Sequence, residues 1–194
     1  MQGTRGKDFQ DKKVSEQNLS ILINRYRHGD KEAFSEIFRG YFYRLYRFLV
    51  VLTNNANYVE DILQETFLKA ALHLNTLKDE RRFTEWIFSI CRNTAINYRK
   101  KEKIETPHFI PEILGEEASP EEDLMREEQG RKVREALSRL TEDQKTVIVL
   151  SRYEGVEYKE IANIMGRSEN AIKALAHRAM TRLGELLERN RNEL

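Results

Sequence analysis

Cysteine, proline and long apolar runs are all scarce in this sequence, and each scarcity excludes something. A single cysteine, Cys91, in 194 residues cannot form an internal disulfide, and His28, His73, His108 and His177 are too scattered to complete a metal site with it. Stability has to come from packing. No apolar run approaches the roughly 20 residues that cross a bilayer, and the opening stretch MQGTRGKDFQDKK lacks the apolar core of a signal peptide. A cytoplasmic chain without membrane insertion is expected. There is no strand-like alternation, no Gly-rich phosphate loop, no cluster of Cys and His ligands, and no nucleophile beside a base. The predicted fold class is all-α, with no enzymatic activity, metal or cofactor indicated.

The few breakers are concentrated. Pro107, Pro111 and Pro120 fall in one window with Gly115, between two long stretches that read as helical. Of 18 aromatic residues, 14 lie between Ser15 and Lys103, and the block after the window keeps only Tyr153 and Tyr158. Charge divides along the same lines. Residues 1–103 hold 19 basic and 13 acidic groups, residues 104–128 hold 1 and 9, and residues 129–194 hold 13 and 10, so the formal charge of +1 averages two basic modules and an acidic strap. The expected organisation is a disordered tail (1–14), a helical domain (15–103), a flexible acidic linker (104–130) and a second small helical domain (131–194).

In the first domain, Asp30 is placed to cap a helix in which Ala33, Phe34, Ile37, Phe38, Tyr41, Phe42, Leu45, Phe48, Leu49 and Leu52 recur at three- and four-residue spacing, up to the turn Thr53-Asn54-Asn55. Further helices are predicted from about Val59 to Leu74 and from about Thr84 to Lys101, separated by the polar loop Asn75–Phe83. In the second domain, Ser119-Pro120-Glu121-Glu122 and Thr141-x-x-Gln144 each read as a helix start, the latter before the run Val147-Ile148-Val149-Leu150.

Ala162, Gly166, Ile172 and Leu175 stand at the spacing of a helix-turn-helix: a small residue where the helices approach, a glycine for the left-handed turn, and two apolar residues packing the second helix on the first. Ser168 caps that second helix. Ile172, Ala176, Ala179 and Leu183 share one face with Leu175 at its edge, while Asn170, Ala174, His177, Arg178 and Thr181 share the other, with Lys173 and Arg182 nearby. A solvated surface helix has a similar composition, but the turn pattern favours entry into a DNA major groove.

On the Val59–Leu74 helix, Val59, Leu63, Phe67, Ala70 and Leu74 form the inward stripe, leaving Asp61, Glu65, Leu68 and Leu72 outside beside Gln64. Exposed leucines among carboxylates suit a protein-binding surface, and a partly buried helix edge would look the same. On the next helix, Ile87, Ile90, Cys91, Thr94 and Tyr98 point inward, which makes Cys91 a core residue rather than a reactive thiol. Ser89, Asn93 and Asn97 project elsewhere, and the helix ends in Arg99, Lys100, Lys101 and Lys103. These cations relieve the helix dipole or meet phosphates, and the asparagines can read base edges.

The segments GDKEAFSEIF, VEDILQETFLKA, FTEWIFSICRNTAINYRKK and EALSRLTEDQKTVIVLSRYEGVEYKEIANIMGRSENAIKALAHRAMTRL together resemble, in order and spacing, regions two and four of the extracytoplasmic-function (group 4) sigma factors of bacterial RNA polymerase, over nearly all of residues 28–103 and 131–187. The resemblance implies an alternative sigma factor that binds core polymerase, directs it to promoters and promotes strand opening. Asp61, Gln64, Glu65 and Leu68 would meet the clamp helices of the largest polymerase subunit. The loop from Asn75 to Phe83, with Leu77, Ile90 and Asn93, would take a base flipped from the minus-ten element, and Asn97, Lys100 and Lys101 would hold adjacent DNA. Arg167, Ser168, Asn170, Lys173, Ala174, His177 and Arg178 would contact the minus-thirty-five element. Leu175 stands where many members have arginine and Ala171 where many have threonine, and the loop KDERR departs from the usual small residues. The same likeness implies contact with the polymerase flap, an acidic linker threaded into the RNA channel, and an anti-sigma factor that sequesters the free chain, which is expected to be a monomer and is held at the membrane if its anti-sigma factor is anchored there. The rival reading is a repressor or response-regulator type that binds DNA by its helix-turn-helix alone and uses the first domain to dimerise or sense a ligand.

Overall fold

The computed structural model describes residues 16–102 and 130–192, and within them the chain is helical, with no strand. The predicted tail, almost all of the acidic linker and the helix expected at Ser119-Pro120 lie outside the described residues. The first block comprises α1 (Glu16–Arg27), α2 (Lys31–Thr53), α3 (Val59–His73) and α4 (Phe83–Glu102). The second comprises α5 (residues 130–138), α6 (Glu142–Ile148), α7 (Tyr158–Met165) and α8 (Glu169–Asn192). No described helix is long and apolar enough to cross a membrane.

The centre of the first block is α2. Asp30 starts it by accepting hydrogen bonds from the backbone N–H of Glu32 (3.0 Å) and Ala33 (3.4 Å), and Asn54 ends it in the left-handed conformation at φ 53°. Between these ends Ala33, Ile37, Tyr41, Leu45, Phe48, Leu49 and Leu52 are all buried, as the spacing predicts. Phe34 and Phe42 sit at the edge of that stripe, and Phe38 is more exposed still. The Phe48 ring meets Phe88 of α4 edge-on at 5.4 Å, and Tyr41 meets Phe83 at 5.0 Å. Helix α1 is not among the helices expected from the sequence, although Leu19, Leu22, Ile23 and Tyr26 recur at helical spacing and the first three are buried against the core.

The second block is shaped more by backbone devices. The Thr141 hydroxyl accepts from Gln144 N–H while the Gln144 side chain accepts from Thr141 N–H, which is the capping box the sequence predicts. A second box joins Glu157 and Glu160 at the start of α7. Between them, α6 runs on into a wider π turn, Val149–Tyr153, closed by the bond from Glu154 N–H to Val149 O (3.1 Å).

The two blocks share one continuous apolar core, with α6 packed on α2 and α7 on α4. The π turn delivers Glu154 to Arg44 of α2, where the two form a buried ion pair at 2.6 Å with side chains only 3% and 8% exposed. The Arg44 guanidinium also lies over the rings of Tyr41 (4.8 Å) and Phe88 (5.6 Å). Around it run Arg92 to Asp143 (2.8 Å), Arg99 to Glu142, Asn54 Nδ2 to the Ser138 carbonyl (3.2 Å), and Asn163 Nδ2 to Glu85 (3.2 Å). Lys145 is buried in the same region, and desolvation pushes its ammonium down to about 8.

Candidate functional site

The helix α3 separates its two faces as its sequence demands. Val59, Leu63, Phe67 and Ala70 are buried, and Leu74 just beyond the helix joins them. Asp61 and Gln64 are exposed and Glu65 is half-exposed. Leu68 and Leu72 are 59% and 68% exposed, the two most exposed large apolar side chains among the described residues. Such side chains one turn apart beside carboxylates form an apolar patch with an acidic rim. The carboxylates are held in place: Tyr98 Oη donates to Asp61 (3.1 Å), and Lys69 bridges Glu65 (2.6 Å) to the Thr94 hydroxyl (3.1 Å). These links fix the α3 face rigidly to α4.

On α4, Asn93, Asn97, Lys100 and Lys101 form an exposed stripe at i, i+4, i+7 and i+8, with acceptors, donors and two cations in line. Ile90, expected to point inward, is half-buried beside it. Arg99 of the basic run and Arg92 two turns before it face the other way, since they are occupied by Glu142 and Asp143 of α6. Lys103 lies outside the described residues. Ser89, grouped with the asparagines in the sequence, instead turns its hydroxyl back onto the Glu85 carbonyl (2.9 Å). Cys91 is fully buried, and desolvation drives its thiol well above the ordinary cysteine range, consistent with a core role.

The expected polar loop is a pair of 3-10 turns, Leu74–Thr76 and Glu80–Arg82. Asp79 caps the second by accepting from Arg81 N–H (3.1 Å), and the Arg81 guanidinium holds the Asp79 carboxyl below its usual range. Leu77 is 8% exposed, so its side chain forms part of the core, and its backbone N–H and carbonyl are taken by the Leu74 carbonyl and the Arg27 guanidinium. Phe83 is fully buried. The accessible side chains of the loop are those of Asn75, Thr76, Lys78, Arg81 and Arg82.

In the second block Gly166 takes φ 63°, ψ 40°, and Arg167 N–H reaches back to the Ala162 carbonyl (2.9 Å), which closes the turn of a helix-turn-helix. The Ser168 hydroxyl accepts from Ala171 N–H (3.3 Å), so it starts α8 as predicted. Ile172, Leu175, Ala176 and Ala179 are buried, while Asn170, Lys173, Ala174, His177 and Arg178 are exposed along one side. Leu175 is thus a packing residue in this chain. Arg167 is drawn off that side by Asp143, which it pairs with together with Arg92. Lys173 pairs with Glu169 at 2.7 Å. No group of three or more His, Cys, Asp or Glu is placed to hold a metal among the described residues.

Comparison with known proteins accounts for both blocks. Residues 37–104 match Sigma-70 region 2, and residues 130–183 match Sigma-70, region 4. The chain is 32% identical over 135 residues to the RNA polymerase sigma factor SigZ of Bacillus subtilis, covering 70% of this chain and 76% of that one. It is 30% identical over 165 residues to the RNA polymerase sigma factor CarQ of Myxococcus xanthus, covering 85% and 95%. Among solved structures, CnrH in complex with the cytosolic domain of CnrY superposes with a TM-score of 0.67 at 25% identity, covering 88% of this chain and 97% of that one. The sigma factor RpoE of Bartonella quintana, in complex with the anti-sigma factor NepR, shares the fold with a TM-score of 0.61 at 23% identity. The region 2 match replaces the rival reading of the first block as a dimerising or ligand-sensing domain. An all-α chain with both regions in order, an apolar acidic-rimmed face on one block and a helix-turn-helix on the other belongs to the extracytoplasmic-function sigma factors of RNA polymerase.

Proposed function

We propose that this sigma factor directs core RNA polymerase to promoters through three separate faces. The α3 face, with Asp61, Gln64, Glu65 and Leu68, is the docking surface for the polymerase clamp. The α4 stripe, with Asn93, Asn97, Lys100 and Lys101, meets the minus-ten element beside the Leu74–Phe83 loop, where Leu77 and Ile90 serve as apolar walls rather than free contacts. The exposed side of α8, with Asn170, Lys173, Ala174, His177 and Arg178, reads the minus-thirty-five element, and Ser168 acts by positioning that helix. Arg167 joins this set once Asp143 releases it.

The observation that carries the reading is the exposure of Leu68 and Leu72 on a face whose carboxylates are fixed from α4, because a chain with no partner there would leave the two most exposed large apolar side chains of the described residues together in water. Extruding a base costs a few kcal/mol, which contacts in a pocket partly offset, so recognition and strand opening become one event. Lys100 and Lys101 add salt-dependent, sequence-blind affinity. Two modest DNA contacts on one polymerase act as a single intramolecular complex, which is why neither module has to bind tightly alone.

An anti-sigma factor is a fitting partner for the free chain, as NepR is for the structural relative RpoE. The same partnership with polymerase places the chain in the cytoplasm, and we propose a monomer when free and a membrane-held complex where the anti-sigma factor is anchored. The experiment is co-purification with core polymerase followed by sequencing of the transcripts initiated in vitro. Retention on core and a shared upstream motif are expected. A chain that binds an operator tightly alone and ignores core polymerase would contradict the reading.

A further inference from the structure

The end of α1 lies outside the region 2 match, which begins at residue 37, yet it grips three other elements with three successive side chains. Arg25 reaches Asp30 (2.7 Å) and Glu36 (3.2 Å) at the start of α2. Tyr26 Oη donates to the Ala71 carbonyl at the end of α3 (3.2 Å), and its ring packs on Phe34. Arg27 reaches the loop: one guanidinium nitrogen pairs with the Glu80 carboxylate and the other donates to the Leu77 carbonyl. Arg27 and Glu80 are 23% and 25% exposed, so this pairing is largely shielded, unlike the open Arg81–Asp79 pair.

Two acceptors three residues apart on one loop, both taken by one planar fork, fix the loop more tightly than either contact alone. Leu74 and Phe83 anchor the loop at its ends in the core, and Leu77 anchors it in the middle. Between Leu77 and Phe83 the path is set by the Asp79 cap, which is internal to the loop, by Arg82, which pairs with Glu85 of α4, and by Arg27, which ties the Leu77 carbonyl and Glu80 to α1. A lysine is a point charge and cannot serve both acceptors in the same geometry.

We propose that Arg27 is a positioning residue for base recognition: it sets the shape of the Leu74–Phe83 loop and so the base that the loop accepts, without itself touching DNA. The inference rests on the reading of that loop as the minus-ten base site. It assigns to α1, which the region 2 match leaves out, a part in promoter choice.

The test uses holoenzyme assembled from core polymerase with the full chain, and a promoter set carrying each of the four bases at every non-template position of the minus-ten element. Open complexes are scored by permanganate reactivity. Arg27→Ala is expected to flatten the preference at one position by about 5- to 160-fold, the range of discrimination that one well-made polar base contact carries. Arg27→Lys should keep part of it, and Glu80→Gln should lose part of it. Affinity for core polymerase and for minus-thirty-five duplex should stay as in the parent. An unchanged preference profile in Arg27→Ala overturns the proposal, as does a uniform loss of core binding and of all promoters. A loop in which residues 78–81 are replaced by Gly and Ser separates the two ideas. If that replacement flattens the profile and Arg27→Ala does not, only the role of Arg27 fails. If neither changes it, the reading of the loop as a base site fails as well.

Discussion

The two blocks hold the elements proposed to face DNA in different ways. In α1–α4, position is set by side chains that reach between elements: ring against ring at Phe48 and Phe88, Tyr98 to Asp61, Lys69 to Thr94, Arg27 to the loop. In the second block, which has only two aromatic residues, position is set mainly by local devices, namely two capping boxes, a π turn and a left-handed glycine. The contrast matches the proposed tasks. A reading helix is rigid, and a correct turn before it suffices to aim it, whereas the loop proposed to accept a base has only two short 3-10 turns of its own and relies on side chains from neighbouring elements to define it.

The largest effect on this contrast is expected in the first block. Phe48→Ala removes a fully buried ring and should cost about 3–5 kcal/mol, read as a lowered urea midpoint with an unchanged slope. A similar magnitude, about 3–5 kcal/mol, is expected for Arg44→Ala, which leaves Glu154 buried without its cation. Here the blocks can separate to hydrate Glu154, so the loss should appear as an increased radius of gyration in X-ray scattering. The double variant Arg44→Met with Glu154→Leu should restore the parent value, and an Arg44→Ala chain as compact as the parent would break the idea that this pair joins the blocks.

Lys145 tests the joint by pH. Its folded value of about 8 lies below the ordinary 10.5, so below pH 8 it is protonated in folded and unfolded chains alike and the full cost of burial is present. Between about 8 and 10.5 the unfolded chain holds the extra proton, and stability rises with pH. Lys145→Met should therefore raise stability near neutral pH by on the order of 3 kcal/mol and abolish that rise, as measured by thermal melts across the range. The smallest effect is expected in the second block. Gly166→Ala meets no neighbour within 4 Å, so its cost of about 1–2 kcal/mol is that of the left-handed backbone alone, seen as a modest drop in melting temperature. A loss as large as that of Phe48→Ala would mean that the turn, too, is held by side-chain packing.

What the sequence disclosed follows from the same contrast. Local rules made α2, the inward stripe of α3, the Thr141 box and the Gly166 turn legible, because each depends on residues within a few positions of one another. The exposed sides of α3 and α8 came out by the same periodicity. Contacts made at long range did not. Arg44 and Glu154 stand 110 residues apart, and nothing in the chain marks them as partners. Arg99 reads as part of the basic run that ends α4, and only the packing of α6 shows that it and Arg92 face the second block. Leu77 sits in a polar stretch, so its burial depends on the core beneath it. The helix α1 was within reach, since Leu19, Leu22, Ile23 and Tyr26 carry its period, but it precedes the segments that carry the family likeness.

The central claim is that the α3 face brings the polymerase and the other two faces choose the promoter. Its most direct measurement is run-off transcription from a matched promoter by core polymerase with the parent chain, with the double variant Asp61→Ala, Glu65→Ala, and with no chain added. Transcript from the parent alone, with loss of core co-purification in the variant at an unchanged melting temperature, is the predicted result. Equal transcription in all three reactions would contradict it.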